Sequence, residues 1–331
     1  MTQSQTKIAA IQAVPVLFDK QRSAEKAAAL IKEAGSNGAS LAAFGETWLP
    51  GYPFWIEGGV TDLTWQASAE YIDNAIVIGG PETDLLCNAA KESNIDVVIG
   101  IAERDPLTNG SVYCTALSIG AEGKVLGRHR KLKPTHAERI IWSDGDGAGL
   151  RTYQRPYGRL SALNCWEHQM MLPGYSLVAQ GTQFHCALWP GWEKTPRPEE
   201  YCWARQLVLS RAFASQAAAY VICAAGLRRS TDIPEHLRPL GDWEHAGHSA
   251  IIDPRGELIA GPLEGEGILY ADASLDVIRA AKAACDIAGH YSRPDVFDVT
   301  VNRSAADSRV QFLDPDEQAS TETTDNTYDT E

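Results

Sequence analysis

The chain has 331 residues, 44% of them hydrophobic, and a net charge of −14. That length suits one large α/β domain or two small ones, and the hydrophobic share is enough for a sizeable core. The acidic balance argues against nucleic acid or an anionic membrane as partner, and no apolar run approaches the ~20 residues needed to span a bilayer.

Residues 1–7 are polar and lead straight into a strand, so no signal peptide is expected. The seven cysteines (87, 114, 165, 186, 202, 223 and 285) are odd in number and lack CxxC spacing. That points to reduced thiols in a cytoplasm rather than a disulfide framework. Along the chain, 7–16 reads as a buried strand, 22–34 as an amphipathic helix ending at Gly35, and 39–44 as a second strand. A Pro/Gly-rich loop follows from Gly45 to Pro53. Pro81 opens a helix over 81–93. Strands follow over 96–104, 111–119 and 124–130, with turns at Thr108-Asn109-Gly110 and Glu122-Gly123. Residues 131–141 form a polar loop, and 143–149 are rich in Gly and Asp.

Strands over 159–164 and 183–188 flank a helix with apolar spacing over 169–180. A long helix covers 199–218, a strand 220–225 and a proline-rich loop 228–243. A meander over 248–253, 257–260 and 267–271 precedes a last helix over 274–285 and an extended run over 286–302. Residues 304–331 carry eight acidic residues against Arg309, half of the net charge. They read as a disordered acidic tail outside a single domain of residues 1–303. Strands and helices alternate throughout, which predicts mixed sheets covered by helices, an α/β layered sandwich.

Four residues stand out as candidate chemistry. Cys165 lies where a strand ends and a helix is about to begin, where free amides and the helix dipole favour a thiolate. Its bland alternative is an inert buried thiol. Glu46 ends an apolar strand, and burial there raises a carboxyl toward a value useful for a general base; the alternative is a solvent-facing loop glutamate. Lys131 sits among four cations in six residues (Arg128 to Lys133), either a solvated face or a run with one ammonium turned inward to stabilise negative charge. Glu138, on the same loop, is a second carboxylate or a surface partner of Arg139.

Tryptophans crowd these positions and suggest an apolar pocket. Other templates fail. There is no GxGxxG or Walker loop, Gly247-His248-Ser249 lacks the trailing glycine of a nucleophile elbow, and neither the histidines nor the cysteines have metal-ligand spacing.

Together, Glu46, Lys131 and Cys165 resemble the Glu-Lys-Cys triad of the carbon–nitrogen hydrolase superfamily. The surrounding stretches are similar to those of its nitrilase branch: Phe44-Gly45-Glu46-Thr47-Trp48-Leu49-Pro50-Gly51-Tyr52-Pro53, then His129-Arg130-Lys131-Leu132-Lys133-Pro134-Thr135-His136-Ala137-Glu138-Arg139, then Asn164-Cys165-Trp166-Glu167-His168. Gly289-His290-Tyr291-Ser292-Arg293-Pro294-Asp295-Val296-Phe297 resembles the branch's C-terminal signature. Gly45 departs from the proline usual in the family.

The resemblance implies an α-β-β-α sandwich with two mixed sheets, dimerising to a four-layer-forming αββα–αββα core and extending to a higher oligomer or spiral. The helices after Cys165 and over 199–218 would form the dimer face. It implies hydrolysis of an organic nitrile to the carboxylic acid and ammonia. Cys165 would be the nucleophile and Glu46 the base. Lys131 and the Trp166 amide would stabilise charge, and Glu138 would orient Lys131 or water. No metal or cofactor is required. Trp166, Tyr52, Trp55, Trp142, His136, Trp189 and Pro190 are the expected substrate-binding residues, leaning to aromatic or arylaliphatic nitriles. An amidase, an N-carbamoyl hydrolase or a cyanide-degrading enzyme would share the triad. A silent scaffold is a further reading, disfavoured because all three triad residues are present.

Overall fold

Apolar strands that alternate with one-faced helices need burial on both sides of each sheet, and the chain meets that need with four layers. The computed structural model describes residues 5–57, 59–194, 205–241 and 244–305. The start expected for the 199–218 helix, Trp243 and the acidic tail from residue 306 lie outside the described residues.

The first half holds β1 (Thr6–Gln12), α1 (Lys20–Ser36), β2 (Leu41–Ala43), α2 (Asp62–Asn74), α3 (Pro81–Glu92), β3 (Asp96–Arg104), β4 (Val112–Gly120) and β5 (Lys124–Arg130). The second half holds β6 (Tyr153–Arg155), β7 (Gly158–Asn164), α4 (Met171–Val178), β8 (Phe184–Trp189), β9 (Glu193–Lys194), α5 (Arg205–Ala217) and β10 (Tyr220–Ala225). It continues with β11 (Leu227–Arg228), β12 (Glu244–Ala246), β13 (Ala250–Ile252), β14 (Leu258–Ala260), β15 (Gly267–Ala273) and α6 (Leu275–Ala284).

One six-stranded sheet runs β15-β1-β2-β3-β4-β5, the other β14-β13-β10-β8-β7-β6, and β11-β12-β9 form a small third sheet. Each large sheet has three parallel strands at its centre, β1-β2-β3 and β7-β8-β10, with antiparallel strands on both sides.

The two sheets pack face to face. Ile8, Ala10, Leu41, Ala43 and Val98 of the first meet Leu160, Phe184, Leu188, Ile222 and Ile251 of the second. The residues alternating with these point outward. Ile11, Val97 and Ile99 meet α1 and α3, while Leu163, Val221 and Cys223 meet α4 and α5. Continuous apolar runs such as β3 follow from burial on both faces.

Helix α1 shows the local logic. The Asp19 carboxylate accepts from the Arg22 amide at 2.9 Å, capping the first turn. Ala24, Ala27, Ala28, Ile31 and Ala34 then form a buried stripe at helical spacing. Burial of Ile31 alone is worth about 1.5–3 kcal/mol.

Four expectations need correction. The strand over 267–271 does not continue a meander with β13 and β14 but crosses to the other sheet and pairs with β1. Helix α2 was not anticipated, because only Thr64, Ala67 and Tyr71 are buried along it and Trp65 points outward, 69% exposed. Its signal was the cap, a Thr61 hydroxyl accepting from the Thr64 amide at 3.2 Å. The helix expected over 169–180 begins earlier and in two pieces, a 3₁₀ turn over Cys165–Gln169 followed by α4. Within the loop expected over 228–243, the chain forms 3₁₀ turns at Ser230–Asp232 and Glu235–Leu240.

Candidate active site

In an open sheet, residues just past the carboxyl ends of parallel strands gather at one edge. Glu46 follows β2, Cys165 follows β7 and Pro190 follows β8, while Lys131 follows the neighbouring strand β5. Close backbone approach draws the two sheets together there. The Glu46 amide donates to the Trp189 carbonyl at 3.0 Å, and a Cβ on Gly45 would lie 2.6 Å from the Gly226 nitrogen. That contact explains glycine at position 45.

Lys131 is the centre of a buried charged cluster. Its Nζ donates to Glu46 Oε1 at 2.9 Å and to Glu138 Oε2 at 2.7 Å, and all three side chains are essentially buried. Glu138 sits on a 3₁₀ turn, His136–Ile140, where Oε2 also accepts from the Thr135 amide at 2.6 Å. Its Oε1 accepts from the Tyr52 hydroxyl at 2.9 Å. The Cys114 thiol donates to Glu46 Oε1 at 3.4 Å, while Glu46 Oε2 has no hydrogen-bond partner among the described residues.

Burial raises the Glu46 carboxyl to about 7, against the pull of the Lys131 charge. Burial alone would lower Lys131, but Glu46 and Glu138 outweigh it and hold the ammonium well above its usual range. The cluster thus contains a fixed cation and a carboxyl poised to exchange a proton near neutrality.

Cys165 faces this cluster from the other sheet. Its backbone is left-handed, φ +47°, as a side chain on a sharp strand-to-turn junction requires. Burial pushes the thiol well above its usual range, and Glu46 adds to this. Lys131 and the Trp166 amide pull the other way. Burial thus opposes the thiolate that the strand-end position was expected to favour. The feature beneath it is one 3₁₀ turn rather than a helix end with a full dipole.

Glu167 ties the cysteine turn to the lysine loop. Its carboxylate lies 3.0 Å from His129 Nε2 and accepts from the Leu132 and Asn164 amides, each at 2.9 Å. Burial alone would raise it, yet His129 and these amides hold it below the usual carboxylate range. Sequence reasoning passed over Glu167; an acid buried immediately beside a candidate nucleophile was the available signal.

The aromatic expectations divide. Tyr52 and Pro190 line a cavity beside Glu46, together with Pro15, Leu17, Trp48, Leu227, Arg228 and His245. Trp142 is buried with its ring 5.7 Å from Lys131 Nζ. Trp166 is half-buried, with its ring 6.3 Å from that of exposed His136. Trp55 is instead a core residue, packed between Phe18, Phe54 and Tyr71. Trp189 also turns its ring away from the cavity to stack on His168, and its Nε1 donates to Ser210. Arg228 and His245 were missed because β11 and β12, which pair them, are too short to read.

Comparison with known proteins agrees with this geometry. The carbon-nitrogen hydrolase family model matches residues 7–283. The chain is 51% identical over 307 residues to Nitrilase 2 from an unknown prokaryotic organism, covering 92% of this chain and 95% of that one. It is 38% identical to an aliphatic nitrilase of Rhodococcus rhodochrous, over 90% of this chain and 82% of the other. It is 36% identical to an arylacetonitrilase of Hypocrea virens, over 88% and 89%. Among solved structures, Nit3 of Saccharomyces cerevisiae superposes with a TM-score of 0.68 at 21% identity, covering 88% of this chain and 98% of that one. The chain belongs to the carbon–nitrogen hydrolase family, on its nitrilase branch.

Proposed function

We propose that the chain hydrolyses an organic nitrile to the carboxylic acid and ammonia, with Cys165 as nucleophile. The carrying observation is the buried Lys131 ammonium clamped between Glu46 and Glu138 opposite the Cys165 thiol. A nitrile carbon is a weak electrophile, so attack needs a sulfur anion formed at the moment of reaction. Glu46, ionised above about 7, takes the thiol proton as sulfur bonds to carbon. The nitrile nitrogen accepts a proton and a thioimidate forms. Lys131 and the Trp166 N–H stabilise the charge that develops there.

Water activated by Glu46 then adds to the thioimidate carbon, and ammonia leaves to give a thioester. A second water releases the acid and restores the thiol. The balance is one nitrile and two waters to one acid and one ammonia. Glu138, held by Tyr52 and the Thr135 amide, keeps Lys131 in place.

The aromatic preference loses part of its support, since Trp55 and Trp189 are core residues. The apolar part of the cavity wall beside Glu46 is built of Pro15, Leu17, Trp48, Tyr52, Pro190 and Leu227, with Arg228 and His245 as its polar part. It suits aliphatic as well as arylaliphatic chains, in keeping with the names of both kinds of relative. Self-association through α4 and α5 is the accompanying reading, supported by exposed Met171, Leu172 and Val208, 81%, 66% and 60% accessible.

The test is ammonia release from the purified protein over propionitrile, an aliphatic dinitrile, phenylacetonitrile, benzonitrile, cyanide and the matching amides. Turnover of nitriles without the amides supports the proposal. Turnover of amides alone moves the chain to amidase chemistry on the same residues.

A further inference from the structure

Behind Cys165, away from the charged cluster, runs a second chain of polar groups, with Ser161 and His185 buried and His168 half-buried. His168 Nδ1 lies 2.7 Å from the Cys165 carbonyl oxygen. His168 Nε2 lies 2.9 Å from His185 Nε2, and His185 Nδ1 lies 2.8 Å from Ser161 Oγ. The rings are fixed by stacking, His168 on Trp189 and His185 on Phe213, with centroids 5.3 and 3.9 Å apart. Burial lowers His168 to about 4 and His185 well below its usual value, so both are neutral near pH 7.

The proton positions then follow from the carbonyl. A carbonyl only accepts, so His168 carries its hydrogen on Nδ1 and accepts at Nε2. His185 therefore donates from Nε2 and accepts the Ser161 hydroxyl at Nδ1. Every bond in the chain points the same way, from Ser161 through both rings to the Cys165 carbonyl. Aligned hydrogen bonds of this kind polarise one another.

The Cys165 carbonyl and the Trp166 N–H are the two ends of one planar peptide unit. Gripping the oxygen fixes the direction of the hydrogen, and pulling electron density toward the oxygen makes that hydrogen a stronger donor. The same N–H acts on the Cys165 sulfur.

We propose that His168 and His185 are positioning residues for the hydrolysis, holding the left-handed Cys165 turn and aiming and polarising the Trp166 N–H at the reacting centre. The inference rests on Cys165 being the nucleophile. The other titratable groups that act on the pair are Glu167 and His129, on the lysine-loop side of the turn.

The test uses the full-length protein with His185→Leu, His185→Gln and Ser161→Ala. Two readouts are needed: steady-state kinetics on the best nitrile, and the pH dependence of iodoacetamide alkylation at Cys165, followed by peptide mass spectrometry. His185→Leu should lower kcat about 5- to 10-fold, a fraction of the 10²–10³ lost when such a donor is removed outright. KM should stay within about twofold, and the alkylation midpoint should move to higher pH as the N–H weakens. Glutamine reaches as far as Nε2 with a donor, so His185→Gln should recover most of both.

If His185→Leu does not fold, Ser161→Ala reads the same effect in milder form, a kcat loss of about 2- to 3-fold with the same direction of midpoint shift. An alkylation profile at the wild-type position in a folded variant overturns the proposal, even if melting temperature falls. Ammonia release that persists in Cys165→Ala would instead overturn the nucleophile reading itself.

Discussion

Two polar networks meet at Cys165, and they are built on opposite principles. On one side, Glu46, Lys131 and Glu138 form a charged cluster in which each member is held by the charge of another. On the other, Ser161, His185 and His168 form a neutral chain in which each member is held by one directed hydrogen bond. The charged side contains a group that exchanges a proton near neutrality. The neutral side contains none, because burial drives both imidazoles well below neutrality. Proton transfer and charge stabilisation thus sit apart from the geometry that aims the nucleophile. Damage to the first should change chemistry and stability together, and damage to the second should change rate in smaller steps.

The sharpest break is at the junction. Cys165→Ala should abolish ammonia release while circular dichroism and assembly stay as in the parent, because alanine fits the turn with only mild strain. Next is Lys131→Met, which strips the cation from two buried carboxylates. It should cost about 3–5 kcal/mol of stability, read by denaturant unfolding, and at least about 10²-fold in kcat.

Glu46→Gln keeps the shape and removes the base, for an expected loss of about 10²–10⁴-fold in kcat with little change in fold. In the parent, the sign is fixed by the carboxylate form being the active one. Activity should fall as pH drops through about 7, and the residual activity of Glu46→Gln should lack that limb. The smallest effect is at the clamp between the networks. Glu167→Gln keeps an acceptor but loses the charge that faces His129, and should lower stability by about 1–3 kcal/mol.

The sequence reading reached the strands and helices whose apolar periodicity is strong. Strands β3, β5 and β10 were read at their observed bounds, and α1, α3 and β7 within one or two residues. It failed where periodicity is weak. Helix α2 exposes Trp65 and buries few residues, and β9, β11 and β12 are two or three residues long, fixed by partners distant in sequence. At the site, Glu46, Lys131, Glu138 and Cys165 were picked out because their stretches resemble the nitrilase motifs; the local sequence of each left a bland alternative open, and the buried contacts among Glu46, Lys131 and Glu138 are set by the fold. That Trp55 and Trp189 are core was not legible, since a ring's direction depends on neighbours such as Phe18 and His168. Nor was the histidine chain. His168 and His185 are 17 residues apart, on the nucleophile turn and on β8, and only the parallel pairing of β7 with β8 brings them together.

The central claim is that carbon–nitrogen cleavage passes through a covalent bond to Cys165. Acid-quenched protein, sampled during turnover of the best nitrile and digested for mass spectrometry, tests it most directly. The account predicts a substrate-derived mass on the peptide containing Cys165, appearing within the first turnover and absent in Cys165→Ala. Steady ammonia release with that peptide unmodified, or an adduct elsewhere at undiminished rate in Cys165→Ala, would contradict it.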